Sequence, residues 1–191
     1  MTPSSSANEV PPKQWYRFLA ELDALLQKPV ELHCIGGFVI AACYGFPRPT
    51  GDLDYISVRP SGAAVELHQV AGEGSELHKK HKLYLQHVGV ANYPENYADR
   101  LIALYPGLFQ NLRLFALDPY DLALSKLERN IEVDRDDVKF LSKTVPLDFQ
   151  ILEQRYRDEL RPYLANPDKH DLTVKLWREA YFPPGPTQKT G

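Results

Sequence analysis

Residues 35–56, IGGFVIAACYGFPRPTGDLDYI, constrain this chain more than any other stretch. A short apolar strand, ELHCI (31–35), runs into Gly36-Gly37. FVIAACYG follows, apolar throughout, and reads as a buried helix. The loop FPRPTG then leads into DLDYISV, whose alternation predicts a second strand (52–58). Strand residues two apart point to one face, so Asp52 and Asp54 are expected to converge while Leu53 faces the core. Two hard oxygen donors on a rigid strand suit Mg²⁺ or Mn²⁺, with phosphate and water completing the shell. Glycines at a helix start let backbone approach an anion, and the unpaired N–H groups there favour it. A phosphate cradle beside a two-carboxylate clamp points to metal-assisted phosphoryl or nucleotidyl transfer.

The remainder of the chain supplies a fold for this segment. KQWYRFLAELDALLQ (13–27) places Trp15, Phe18, Leu19, Leu22, Leu25 and Leu26 on one helical stripe. Residues 61–71 and 75–81 read as short helices, KLYLQHVGV (82–90) as a third strand, and NLRLFAL (111–117) as a fourth. A Tyr/Pro-rich loop separates these two strands. Asp118-Pro119 is then a strong helix start. Helices are expected over 118–132, 134–143, 148–164 and 168–181, with Trp177, Tyr181 and Phe182 on the apolar face of the last. The order predicts an α+β protein: a small mixed β-sheet flanked by helices (13–117), then a C-terminal helical segment (118–182). Residues 1–12 and 183–191 read as flexible tails.

Composition narrows the setting. With 191 residues, 43% apolar and a net charge of -3, the chain can bury a substantial core and is not intrinsically disordered. The charge balance also argues against a general nucleic-acid coat protein. Cys34 and Cys43 form neither a zinc pattern nor a disulfide framework, and two buried reduced thiols fit a cytoplasmic protein. The longest apolar run, 34–44, is about half of what a membrane span requires, so no membrane partner is expected.

Gly-Gly, a helix and then D-L-D together resemble the nucleotidyltransferase superfamily, the fold of DNA polymerase beta. Arg48-Pro49-Thr50-Gly51-Asp52-Leu53-Asp54 resembles one branch more closely: the abortive-infection nucleotidyltransferase toxins of the AbiEii type and their small bacterial relatives. LDPYDLALSKLERNIEVDRDDVKFL (117–141) is similar to a second segment of that branch. The resemblance implies that Gly36 and Gly37 contact the phosphates of an NTP, and that Asp52 and Asp54 bind the divalent metal. It implies a phosphate or bracing role for Arg48, a turn cap for Thr50, and a reach toward the triphosphate for Lys126. Asp121, Asp134 and Asp137 would complete or buttress the pocket; capping and salt pairing are their other reading. Superfamily members often carry a third carboxylate on a later strand. In KLYLQHVGV, Gln86 and His87 stand there, leaving that role to His87, to an acid such as Asp134, or vacant.

The resemblance further implies NMP transfer to tRNA or another RNA, with a cognate antitoxin as partner. The alternatives are a small-molecule, antibiotic-type transferase and an inactive binding module of the same fold. Other features read as bland. His78 and His81 sit in a basic turn with Lys79, Lys80 and Lys82, a modest RNA-facing patch at most. Tyr93, Tyr97, Tyr105 and Phe109 are expected to pack under a long loop rather than stack on a base. Five acids against two bases between Glu128 and Asp137 concentrate the chain's negative charge.

Overall fold

The computed structural model describes residues 10–183, so the expected tails fall outside the described residues apart from 10–12 and 183. The chain divides into two compact units. One takes in the chain up to Ala91 together with Tyr97–Asp118; the other takes in Asn92–Asn96 and the chain from Pro119.

The first unit is α+β. Its elements are α1 (Lys13–Leu25), β1 (Val30–Ile35), α2 (Gly36–Tyr44), β2 (Asp52–Arg59), α3 (Ala63–Ala71), α4 (Glu76–His81), β3 (Tyr84–His87), β4 (Ile102–Leu104) and β5 (Leu112–Ala116). The sheet order is β3-β2-β1-β5-β4. It is mixed: β1 runs antiparallel to β2 and parallel to β5, while β2 runs parallel to β3 and β4 antiparallel to β5. Helices α1, α2 and α3 pack on these strands. The core holds Phe18, Leu19, Leu22, Leu32, Cys34, Leu53, Tyr55, Leu67, Leu85 and Leu114.

Two departures from the sequence reading have local causes. The α1 stripe keeps Trp15, Phe18, Leu19 and Leu22 inside, but Leu25 lies 48% exposed, because the helix ends there and the extended Leu26 turns inward instead. The short strand β4 lies in what read as a loop; it pairs with β5 and buries Leu104. The entry to β5 is fixed by Asp23, whose carboxylate accepts from the backbone N–H groups of Gln110, Asn111 and Leu112 at 2.7–3.0 Å.

Alternation and register sort the sheet into two faces. The register of β1 against β2 shifts between His33 and Cys34: Cys34 pairs with Tyr55 and His33 with Ser57, so Ile56 is the extra residue of a β-bulge. One face then carries Leu32, Cys34, Leu53, Tyr55, Val58, Leu85, Leu112 and Leu114, all buried. The other carries Glu31, His33, Asp52, Asp54, Ser57, Arg59, Tyr84, Gln86 and Arg113.

The second unit is helical: α5 (Pro119–Leu124), α6 (Glu132–Thr144), α7 (Phe149–Arg155), a π-helical turn at Tyr156–Leu160, a 3-10 turn at Arg161–Tyr163, and α8 (Pro167–Tyr181). The helix expected over 118–132 stops at Leu124. Beyond it, the N–H groups of Lys126 and Leu127 bond three residues back to Ala123 and Leu124, and Ser125 Oγ donates to the Leu122 carbonyl at 2.7 Å. Asn130, at φ +44°, closes the turn.

This tightened segment carries a buried ionic network. Lys126 Nζ stands 2.8 Å from Asp137 Oδ2 and 3.7 Å from Asp134 Oδ1. Arg129 donates Nε and Nη2 to Asp134 at 2.7 and 2.6 Å, and Asp134 also accepts from the Ile131 N–H at the start of α6. Arg155 Nη1 donates to Asp121 Oδ1 at 2.9 Å. Asp121 and Asp137 are fully buried, and Lys126 is 7% exposed.

Burial pushes the Asp134 carboxyl up, but the Arg129 guanidinium and the Lys126 ammonium outweigh it and hold it below the ordinary carboxylate range. A lowered folded value stabilises the folded state above the unfolded value of about 3.9 and is lost as the pH falls through the lowered one. The urea midpoint of the helical unit is therefore expected to fall below about pH 4, and Asp134→Asn to flatten that fall. Lys126→Met takes away the ammonium beside Asp137 and is expected to destabilise the unit by about 3–5 kcal/mol in chemical denaturation. A change within about 0.5 kcal/mol, typical of a surface position, would show that the pairing does not hold the unit together.

Candidate active site

Gly36 directly follows the last residue of β1 and is the first residue of α2. Its φ is +78°, in the region that only glycine enters at little cost. An ideal Cβ there would overlap Asp54 Oδ2 and stand 3.2 Å from Asp54 Cβ and Cγ. The cause is register: Ile35 pairs with Asp54, which sets the carboxylate beside the next residue along. Backbone and carboxylate therefore share one spot, with no side chain between them.

Gly37 is closed in by the return loop. Its own Cβ would meet Arg48 Nη2 at 3.2 Å and Thr50 Oγ1 at 3.7 Å. Thr50 Oγ1 lies 2.6 Å from Asp52 Oδ1 and 3.0 Å from the Asp52 carbonyl oxygen, so the hydroxyl hydrogen is shared between them. That contact holds the Asp52 side chain at the entry to β2. The Arg48 guanidinium lies over the Phe46 ring at 5.3 Å. Arg48 and Thr50 also line a cleft of about 280 Å³ whose other walls include Trp15, Phe38, Ala42 and Phe46. The glycines, the return loop and the first residues of β2 thus form one continuous site.

Asp52 and Asp54 share a face of β2, both partly exposed, as the D-x-D spacing predicts. Across β3, Asp52 is level with Tyr84 and Asp54 with Gln86. Burial first, and then the negative charge of Asp52, Glu73 and Asp54, pushes the Tyr84 hydroxyl up. His87 is level with Tyr55, and their rings lie 5.2 Å apart. Leu53 and Tyr55 belong to the apolar face, so His87 projects on the side away from the aspartates. The expectation that His87 fills the third role is corrected by this parity. Among the described residues no three His, Cys, Asp or Glu side chains cluster as a metal site.

Lys126, Asp121, Asp134 and Asp137 all belong to the helical unit, where Lys126 pairs with Asp134 and Asp137, Arg129 with Asp134, and Arg155 with Asp121. To reach a phosphate, Lys126 would have to leave Asp137, and breaking a buried pair costs about 3–5 kcal/mol. Salt pairing is the contact these residues make, and Asp134 also caps the start of α6.

The sequence reading passed over one group on the aspartate face. His33 is buried, with Nε2 3.0 Å from Glu31 Oε1 and Nδ1 3.0 Å from the Tyr97 hydroxyl. Arg59 stands 3.8 Å from the same Glu31 oxygen. The signal was present in VELHCI, where Glu31 and His33 are two apart on a strand that otherwise reads as core. Tyr97 thus packs and bonds inside the unit, as expected for the loop aromatics. Tyr105 is buried, and Phe109 stacks on Tyr16 at 6.4 Å. Both cysteines are free thiols. Burial pushes Cys34 up, and Cys43 up to about 12, which makes neither a nucleophile at neutral pH.

Gly36→Ala is expected to destabilise the protein by about 2 kcal/mol or more in chemical denaturation, through φ strain and collision with Asp54. Gly62, at φ -64° with open space around its Cα, provides the control, and its alanine variant should be neutral or slightly stabilising. Equal behaviour of the two variants would disprove the close approach at Gly36.

No helix among the described residues is long and apolar enough to cross a membrane. No curated protein and no solved structure matches the chain. A family model described as a nucleotidyltransferase of unknown function (DUF6036) matches residues 16–181, and with it the strand–Gly-Gly–helix–strand site and the helical unit together. The chain belongs to this family of nucleotidyltransferases.

Proposed function

We propose that the protein transfers a nucleoside monophosphate from an NTP to an acceptor hydroxyl, forming the acceptor O–Pα bond as the Pα–O bond to the β-phosphate breaks and pyrophosphate leaves, with Mg²⁺ or Mn²⁺ held by Asp52 and Asp54. One observation carries this reading: Gly36 brings bare backbone against Asp54, so a phosphate cradle and a carboxylate meet at one point. The donor set fits a hard divalent ion, two partly exposed carboxylates on one strand face. When bound there, such an ion lowers the pKa of the attacking hydroxyl and offsets charge on the phosphates.

The chain's own groups supply orientation and charge. The N–H groups at the start of α2 and the Arg48 guanidinium favour the anionic phosphates. Thr50 holds the Asp52 carboxylate in one rotamer, so the acidic pair needs little rearrangement when substrate arrives. The cleft beside Arg48, apolar on Trp15, Phe38 and Phe46, suits a small planar group next to a phosphate.

The acceptor is read from the resemblance of residues 48–54 and 117–141 alone. It favours tRNA or another RNA, with a toxin-like role and a cognate antitoxin; a small hydroxylated molecule is the alternative acceptor. One observation favours a second reading, a nucleotide-binding module without transfer: the residue level with Asp54 on β3 is Gln86, an amide that accepts no proton at neutral pH.

Incubation with α-³²P-labelled NTPs and candidate acceptors separates the readings. Label transfer is expected to require Mg²⁺ or Mn²⁺ and to fall by at least about a hundredfold in Asp52→Asn and in Asp54→Asn. Transfer that survives both substitutions would remove these carboxylates from the mechanism. NTP binding that ignores the metal, with no transfer to any acceptor, would establish the binding module.

A further inference from the structure

The helical unit contains a cleft that the nucleotide site does not use. It has a volume of about 270 Å³ and is lined by Glu153, Tyr156, Arg157, Arg161, Asp171, Val174, Lys175 and Arg178. One wall is the end of α7 and its π-helical turn, where the Arg161 N–H closes five residues back onto the Tyr156 carbonyl. Such widened turns recur at functional sites. The other wall is one face of α8, on which Asp171, Lys175 and Arg178 succeed one another at helical spacing.

The charges in the cleft are unevenly committed. Arg161 is taken up by Asp171, donating Nε and Nη2 to its two carboxylate oxygens at 2.8 Å each. Tyr156 donates its hydroxyl to the same carboxylate at 2.6 Å, which makes that side of the cleft rigid. The other three cations are not neutralised in this way. Arg157 is 64% exposed and makes one 3.2 Å contact with an exposed Asp158. Arg178 lies over the Phe149 ring at 5.3 Å and is exposed. Lys175 is exposed, with no ion pair among the described residues. Glu153 is the remaining acid on the lining. A concave wall with three available cations attracts a chain of anions more strongly than an isolated lysine does.

We propose that this cleft docks phosphate groups of an RNA strand, and so serves as the acceptor-holding surface of the enzyme. The proposal rests on the reading of RNA as acceptor given above. Arginine predominates among the available groups, and its planar fork suits phosphate oxygens. Phosphate contacts position a nucleic acid without reading its sequence, so the cleft would hold RNA in place and leave the choice of site to other contacts.

Fluorescence anisotropy of a short labelled RNA, titrated with the full chain over a range of salt, tests this without any turnover. In the triple variant Arg157→Ala, Lys175→Ala, Arg178→Ala, affinity is expected to fall at least about tenfold near 0.15 M salt, and the slope of log K against log salt to lessen by about 2, or about 0.7 per lost contact. All three side chains are exposed, so the variant should keep its circular dichroism spectrum. A second triple variant, Lys79→Ala, Lys80→Ala and Lys82→Ala, removes the same charge from α4 and its cap in the first unit. Equal losses in the two variants would overturn the cleft as the site, and so would polyglutamate of matching charge that binds as tightly and depends on the same residues. Unchanged RNA affinity in the cleft variant would overturn it while leaving the transfer reaction standing. RNA binding that depends on the cleft, with no label transfer, would confirm the cleft and defeat the transfer reading.

Discussion

Asp54 has its place because residue 36 has no side chain. The antiparallel pairing of Ile35 with Asp54 delivers the carboxylate to the point where the chain leaves β1 and turns into α2. With any Cβ at that point, either the helix start or the carboxylate would have to move. The rest of the first unit preserves this coincidence. The apolar α2 buries Phe38, Val39 and Ile40 and so fixes its own N-terminus, and Gly45 in the left-handed region ends it. The return loop then brings Thr50 back onto Asp52.

Much of this was legible in the chain, and for a physical reason. The signals at residues 31–58 are local: two strand periods, a Gly-Gly break, an apolar helix and an i, i+2 pair of acids. Each is set by backbone geometry within a few residues. The facing of His87 is also carried by KLYLQHVGV, where Leu83, Leu85 and His87 alternate onto one side. The bond from His33 to Tyr97 was not legible, because its partner lies 64 residues away in the chain. The bulge at Ile56 has the same character, since a residue inserted into one strand shows only against its neighbour.

The helical unit illustrates a different limit. Lys126, Asp134 and Asp137 read equally well as ligands of a phosphate or metal and as partners of one another, since the same charges serve both. Burial decides between these roles. Once Asp137 is fully enclosed it requires a cation close by, and Lys126 stands at 2.8 Å. The same enclosure explains why a helix that the sequence continues to residue 132 stops at Leu124: the chain tightens there into three-residue turns that carry Lys126 and Arg129 beside these carboxylates. Acidity concentrated between Glu128 and Asp137 is thus partly matched inside the unit rather than displayed.

The strand order has a consequence for how such a molecule is made. β1 lies at the middle of the sheet, between β2 and β5. Its partner β2 follows within a short stretch of chain, so the glycine–carboxylate corner closes over a small loop. Its other partner, β5, begins only at Leu112, and Val30 waits for that residue to be synthesised. During translation, a nascent chain carries the glycine–carboxylate corner half built, with one edge of β1 open to whatever strand comes first. At the few to twenty residues per second typical of ribosomes, that interval lasts several seconds or more. The finished protein leaves only short strands at its sheet edges, Tyr84–His87 and Ile102–Leu104, which offer little for another chain to pair with. Exposure of a longer, apolar strand edge is therefore confined to birth, the stage at which a chaperone would have its strongest claim on this chain.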